Sequence, residues 1–346
     1  MSREIRVLLA DDSPTMRRAL TVLLAQDPRL EVVGTARDGE EVLQMARFLK
    51  PDVISMDVQM PKLDGLEATR QIIDSCPTRI VVVSSHSADA EMNISFNAIQ
   101  AGALEIFAKP TVSTPAELAD WGARLADLLV KVAEMPLKLV HASETHSSLI
   151  LEPGSFPLEI FGLAASTGGP PVLVELLGKL PAALPIPLLI AQHITQGFTD
   201  GFQRWLSRSC QLKVETAEAG QRPRPGYAYL APDGRHLEVE KGVFKTEKPT
   251  VGFCPSGNRL LSSLALNYGS RAGGAVLTGM GEDGGRGLLE IKQAGGITAA
   301  QAESSCLVYG MPRFAKESGA AQRMLSPEGI ALLIVGLCQA RMERTR

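Results

Sequence analysis

Residues 158–170 read Leu-Glu-Ile-Phe-Gly-Leu-Ala-Ala-Ser-Thr-Gly-Gly-Pro, an apolar run that stops at Ser166-Thr167-Gly168-Gly169. A helix-like pattern, Pro171-Val172-Leu173-Val174-Glu175-Leu176-Leu177, begins at once. Buried strand, glycine turn and helix make the unit of an open α/β sheet, and a serine at the strand's carboxyl end sits where such sheets bind and react. The helix start adds free backbone N–H groups beside the hydroxyl, so the turn suits either a nucleophile or an anion. Ser166 alone is equally readable as a phosphate cradle or a helix cap, although the turn lacks the Lys-Ser/Thr ending of a P-loop.

Two other strand ends bear on that choice. Pro187-Leu188-Leu189-Ile190-Ala191-Gln192 is a second buried run, and it ends at His193. Ala272–Met280 reads as a third, and Glu282-Asp283 follow it after Gly281. Strand ends of a parallel sheet converge at one edge. A hydroxyl, an imidazole and a carboxylate gathered there form a nucleophilic set: His193 takes the Ser166 proton, and Asp283 orients the ring and stabilises its charge. Glu282 competes for the carboxylate role. The backbone N–H groups around Thr167 and Met280 are candidates for an oxyanion hole. The remaining histidines, His86, His141, His146 and His236, stand in polar contexts and read as surface imidazoles.

Further elements fill in the second half. Tyr227–Ala231 reads as a strand, Leu237–Lys245 as a hairpin, and Gly284–Ala294, Met311–Ser318 and Pro327–Met342 as helices. The first half alternates strand and helix more regularly. Strands are expected over Arg6–Ala10, Leu30–Gly34, Val53–Met56, Ile80–Val83 and Leu104–Ala108. Helices are expected over residues 14–26, Gly39–Leu49, Leu66–Cys76, Ala88–Ala101 and 114–134, the last with a capping-box-like start. Such alternation implies a parallel sheet. The fold class is therefore α/β, with two doubly wound parallel-sheet domains over residues 1–135 and 157–346. The aperiodic stretch 136–156 reads as a linker.

Polar groups again collect at the strand ends of the first half: Asp11 and Asp12, Asp57, Ser84, and Lys109 before Pro110. Three clustered carboxylates repel one another, and a hard divalent cation such as Mg²⁺ relieves the repulsion. Lys109 is suited to neutralise an added phosphoryl group, and Ser84 to hydrogen-bond one of its oxygens.

Bulk properties narrow the classes. The 346 residues suffice for two cores, and the net charge is −3. Residues 1–112 carry 12 Lys+Arg against 16 Asp+Glu, and the remainder 23 against 22. Neither part has the basic excess that nucleic acid demands, so no nucleic-acid partner is expected. The five cysteines are scattered without a CxxC pair, as in a reducing compartment. The charged N-terminus does not read as a signal peptide, and no apolar run approaches a membrane span. A cytoplasmic protein without direct membrane insertion is expected.

The first half resembles the receiver domain of two-component response regulators, through Asp57-Val58-Gln59-Met60-Pro61-Lys62-Leu63-Asp64-Gly65 and Lys109-Pro110. The resemblance implies a flavodoxin-like fold, phosphorylation of Asp57 by a sensor histidine kinase, and Mg²⁺ on Asp11, Asp12 and Asp57. It departs from the family at Ile106, where an aromatic residue is common.

The second half resembles the chemotaxis protein-glutamate methylesterase (CheB) family, in the same order of domains. The strings are Ala165-Ser166-Thr167-Gly168-Gly169-Pro170, Gln192-His193, Gly279-Met280-Gly281-Glu282-Asp283-Gly284, and Val308-Tyr309-Gly310-Met311-Pro312, together with Tyr229-Leu230-Ala231-Pro232 and His236-Leu237. This implies a Rossmann-like serine esterase domain with Ser166, His193 and Asp283 as the triad. It further implies hydrolysis of glutamyl methyl esters on methyl-accepting chemotaxis receptors, with glutamine deamidation, and no cofactor for the ester chemistry. Ile194 stands where methionine is common, and residues 253–259, a segment expected to line the substrate cleft, depart from the family pattern, which implies an unusual receptor. A non-catalytic response regulator whose second domain binds receptors or signalling partners is the alternative.

Overall fold

The computed structural model describes the backbone of residues 3–85, 89–111, 114–135, 158–249 and 254–342. The expected linker, 136–156, lies outside the described residues, as do His86, His141 and His146. The chain divides after Leu137 into two compact units.

The first unit runs β1 (Ile5–Ala10), α1 (Pro14–Leu24), β2 (Leu30–Ala36), α2 (Gly39–Leu49), β3 (Val53–Asp57), α3 (Gly65–Ser75), β4 (Arg79–Ser84), α4 (Asp89–Gln100), β5 (Glu105–Ala108) and α5 (Pro115–Ala133). Its five strands are parallel in the order β2-β1-β3-β4-β5. The strand order therefore reverses between β1 and β3, and the acidic groups end those two strands. Local chemistry starts the helices where the sequence expects them. Ser13, Asp38, Asp64 and Thr114 each accept a backbone N–H at an N-cap, and Thr114 with Glu117 completes a capping box.

The second unit runs β6 (Ile160–Ala165), α6 (Gly169–Gly178), β7 (Leu188–Gln192), α7 (Thr199–Ser209), β8 (Lys213–Thr216), β9 (Tyr227–Leu230), β10 (His236–Glu240), β11 (Val243–Glu247), α8 (Gly257–Tyr268), β12 (Ala272–Val276), α9 (Gly285–Gln293), β13 (Ile297–Gln301), α10 (Met311–Glu317), β14 (Arg323–Leu325) and α11 (Pro327–Met342). Seven strands form a parallel sheet in the order β14-β13-β12-β6-β7-β9-β8, while β10 and β11 pair as a separate antiparallel hairpin. Strands β6, β7, β12 and β13 are buried throughout, as strands covered on both faces must be.

Three features differ from the sequence reading. The strand expected over Ala272–Met280 ends at Val276. Beyond it Leu277 N–H and the Thr278 carbonyl still bond Ala164 and Ser166 beside β6, whereas on the β13 side the Thr278 N–H turns to the Gln301 side chain at 2.8 Å and the regular ladder stops. Second, α7, α8, β8, β13 and β14 had no counterpart in the sequence reading. The signal for α8 was present: Ser256 caps a run with Leu260, Leu261, Leu264 and Ala265 at helical spacing. Third, His236 is not a surface imidazole. It opens β10 with 3% exposure.

Candidate active site

Three adjacent strands deliver the residues singled out in the second unit. Ser166 follows β6, His193 follows β7, and Asp283 lies in the loop between β12 and α9, so the serine's strand is the middle one of the three. Gly168, at φ 76°, turns the chain sharply from β6 into α6. That left-handed conformation favours glycine.

The backbone around Ser166 is fastened on all sides. Its N–H donates to Thr278 O at 3.0 Å, and its carbonyl accepts from Gly169 N at 2.8 Å. The Gln192 amide Nε2 donates to the Ser166 carbonyl and to the His193 carbonyl, each at 2.8 Å. One buried side chain thus ties the two backbones together. Gln192 is a site residue whose role composition and spacing did not reveal.

His193 Nε2 lies 2.9 Å from Asp283 Oδ2. Among the described residues the Ser166 hydroxyl has no hydrogen-bond partner, so the histidine and the carboxylate are linked directly and the serine is brought alongside through the backbone. Asp283 is 5% exposed. Ser256 Oγ donates to its Oδ1 at 3.0 Å, Asn258 N to Oδ1 at 2.9 Å, and Gly257 N to Oδ2 at 2.6 Å. The carboxylate is therefore seated on the first turn of α8, where free N–H groups and the helix dipole favour negative charge. Burial pushes its carboxyl up. The hydrogen bonds from His193 and from the Asn258 and Gly257 N–H groups outweigh that and hold it below the ordinary carboxylate range.

Gly257 makes the seat possible. A Cβ there would stand 2.6 Å from Ala164 Cβ and 3.2 Å from Gly284 Cα. Glu282 is excluded as the competing carboxylate, because it is more than half exposed and lies 3.6 Å from Arg286. Residues 253–259 divide in their roles. Ser256, Gly257 and Asn258 hold Asp283, whereas Cys254 and Pro255 line a cavity of about 180 Å³ with Gln192, Ile194, Phe202 and Leu230. Phe253 lies outside the described residues. Thr167 is buried and Met280 half-buried. The Met280 N–H has no acceptor among the described residues, as a donor reserved for a ligand would require.

In the first unit, Asp11, Asp12 and Asp57 offer carboxylate oxygens within 4.8 Å of one another. Lys109 Nζ lies 2.8 Å from Asp57 Oδ2 and 3.3 Å from Asp11 Oδ2. Burial pushes the Asp57 carboxyl up to about 6, against the pull of Lys109 and with the help of Asp11. Three hard oxygen donors, two of them buried, suit a small divalent cation. Ser84 is fully buried at the end of β4 and accepts a hydrogen bond from Ser95 Oγ at 2.9 Å. Ser95 was not anticipated. Ile106 is buried, and the neighbouring Phe107 ring lies 5.6 Å from that of Trp121.

Both halves match known families. The family model described as CheB methylesterase matches residues 161–334, and that of the response regulator receiver domain matches residues 7–120. A protein-glutamate methylesterase/protein-glutamine glutaminase 3 of Myxococcus xanthus is 46% identical over 339 residues, covering 98% of this chain and 95% of that protein. A protein-glutamate methylesterase/protein-glutamine glutaminase 1 of Syntrophus aciditrophicus is 40% identical, covering 96% of this chain and 98% of that protein. The crystal structure of the Thermotoga maritima CheB methylesterase catalytic domain is similar at 31% identity and a TM-score of 0.50, covering 52% of this chain and 98% of that one. With both domain matches in order and relatives aligned over nearly their whole length, the chain belongs to the CheB methylesterase family, with a response regulator receiver domain preceding the esterase domain.

Proposed function

We propose that the chain is a phosphorylation-regulated protein-glutamate methylesterase, with protein-glutamine glutaminase activity at the same site. The observation that carries the reading is the His193–Asp283 pair at 2.9 Å, one strand over from Ser166. Asp283 on Nε2 fixes the ring tautomer and leaves Nδ1 as the basic nitrogen. Ser166 Oγ attacks the ester carbonyl as its proton passes to His193, and the Met280 and Thr167 N–H groups stabilise the oxyanion. The C–O bond to the methoxy group then breaks, His193 returns the proton, and methanol leaves. Water, deprotonated by His193, hydrolyses the acyl-serine to the glutamate carboxylate. With glutamine as substrate the leaving group is ammonia. The ester chemistry needs no cofactor.

The substrates are glutamyl side chains on methyl-accepting chemotaxis receptors, met from the cytoplasm. A sensor histidine kinase donates the phosphoryl group to Asp57. Asp11, Asp12 and Asp57 would hold Mg²⁺, which supplies positive charge for the incoming phosphoryl group. Lys109 and Ser84 bind its oxygens. Phosphorylation of Asp57 raises the esterase rate by shifting the population toward the active state. No described helix is long and apolar enough to cross a membrane.

The test is methanol release from a methylated receptor, with and without a small-molecule phosphodonor. Wild type should release methanol and accelerate with the donor, Ser166→Ala should release none, and Asp57→Asn should ignore the donor. Release that survives Ser166→Ala sinks the assignment of the nucleophile. A receptor-dependent signalling role that persists in Ser166→Ala would favour a non-catalytic binding domain.

A further inference from the structure

A second histidine stands behind the carboxylate. His236, at the start of β10, is 3% exposed, and its Nδ1 accepts the Ser256 N–H at 3.0 Å. Ser256 in turn caps α8, its hydroxyl accepting from Arg259 N at 3.3 Å and donating to Asp283 Oδ1 at 3.0 Å. An unbroken chain of hydrogen bonds and one backbone residue therefore runs from His236 through Ser256 and Asp283 to His193. An imidazole accepting at Nδ1 is neutral there, with its proton on Nε2.

We propose that His236 is a positioning residue for the esterase reaction: its neutral Nδ1 holds the α8 N-cap in place, and through it the carboxylate that orients His193. The inference rests on the proposed triad but concerns a residue outside it. The acceptor role is chemically exposed. Protonation of Nδ1 replaces an acceptor with a donor, which then faces the Ser256 N–H, and two donors cannot share the bond. The Asp283 seat then loosens at its first residue.

Charged groups surround His236 on every element packed against it. Glu238 lies on its own strand, Glu247 is its register partner on β11, Arg259 lies on α8, and Asp283 lies across the α8 N-terminus. Arg259 pairs with both Glu238 and Glu247. Burial first, and then Arg259, push the imidazole below its ordinary range, against the pull of the three carboxylates. The site is thus built to keep His236 neutral at neutral pH. Its loss of function belongs to acid conditions.

The experiment uses the full chain and a methylated receptor, with released methanol as the assay. His236→Leu keeps bulk and removes the acceptor, and kcat should fall about 10-fold, the size of one lost buried hydrogen bond, with KM within about 2-fold. His236→Asn places an amide oxygen near the Nδ1 position and should recover most of the rate. Its kcat should also lose the part of the wild-type acid limb that His236 contributes, because the titrating ring has gone. Nitrogen NMR of the wild type should show His236 Nδ1 unprotonated at neutral pH, and its protonation on acidification should shift the His193 signals. The proposal is overturned if Nδ1 carries the proton at neutral pH, if His236→Leu turns over normally, or if His236→Asn is as slow as His236→Leu. If His236→Leu does not fold, the His236→Asn profile and the NMR titration decide. If wild type releases no methanol, the functional reading fails, and the NMR arm still tests the His236 link.

Discussion

Gly257 N lies 2.6 Å from Asp283 Oδ2, the shortest of the bonds that seat this carboxylate. The approach exists because residue 257 has no side chain: its α-carbon packs where Ala164 and Gly284 leave no room for a Cβ. Gly257→Ala should therefore act on catalysis as well as stability. Overpacking of this kind costs about 1–3 kcal/mol. We expect a lower melting temperature and a kcat at least about 10-fold down, since a displacement of the α8 N-terminus moves the Asp283 carboxylate and His193 with it. A variant with normal kcat would show that the seat tolerates a shift.

Asp283 also sets a pH dependence of stability. Its folded pKa is held below the unfolded value, so its contribution is present above the unfolded pKa and is lost as pH falls through the folded one. Asp283→Asn should destabilise the esterase domain at pH 7, and the difference from wild type should shrink on acidification. Urea unfolding at several pH values measures this. A difference independent of pH would assign the cost to packing instead of charge. Activity should fall by about 10⁴, as expected when the imidazole loses its orienting carboxylate.

Gln192 offers a test of backbone positioning. Its amide serves the carbonyls of both Ser166 and His193. Gln192→Met keeps the length and removes both bonds, at about 1 kcal/mol each, while the Ser166 carbonyl keeps its bond from Gly169 N. Stability and kcat should both fall while far-ultraviolet circular dichroism stays native. If kcat is unchanged, the turn after β6 holds Ser166 without help.

The receiver pocket predicts metal-linked stability. Mg²⁺ should raise the melting temperature of the first domain, by an amount equivalent to about 2.7 kcal/mol at a hundred times its dissociation constant. Asp12 is exposed, so Asp12→Asn should fold normally and lose most of that response. A full response in the variant would remove Asp12 from the ligand set.

Much of this architecture was legible in the residues. The Gly39–Leu49 helix appears with the boundaries expected, because Asp38 caps it and an apolar stripe runs through Val42 and Ala46. Ser166, His193 and Asp283 were legible because each ends or follows a run of buried apolar residues. Helix α8 was missed although Ser256 announces it, since the segment was read as a lining of the substrate cleft. His236 was misread because Asp233-Gly234-Arg235 before it looks like an exposed turn, whereas the strand that follows is covered by α8 through Ser263, whose hydroxyl accepts the Val239 N–H at 3.0 Å.

The sequence by itself determined the two α/β domains and the order of the polar groups at their strand ends. Those are consequences of local pattern: apolar period, caps and glycine turns act within a few residues. Tertiary structure decided which carboxylate faces His193, what holds it there, and which histidine lies behind. Asp283 and Glu282 are neighbours in the chain, and only the arrival of the α8 N-terminus from residues 256–258 distinguishes them. Hydrogen bonds between residues 20 to 90 positions apart leave no periodicity to read, so the choice is made by packing alone.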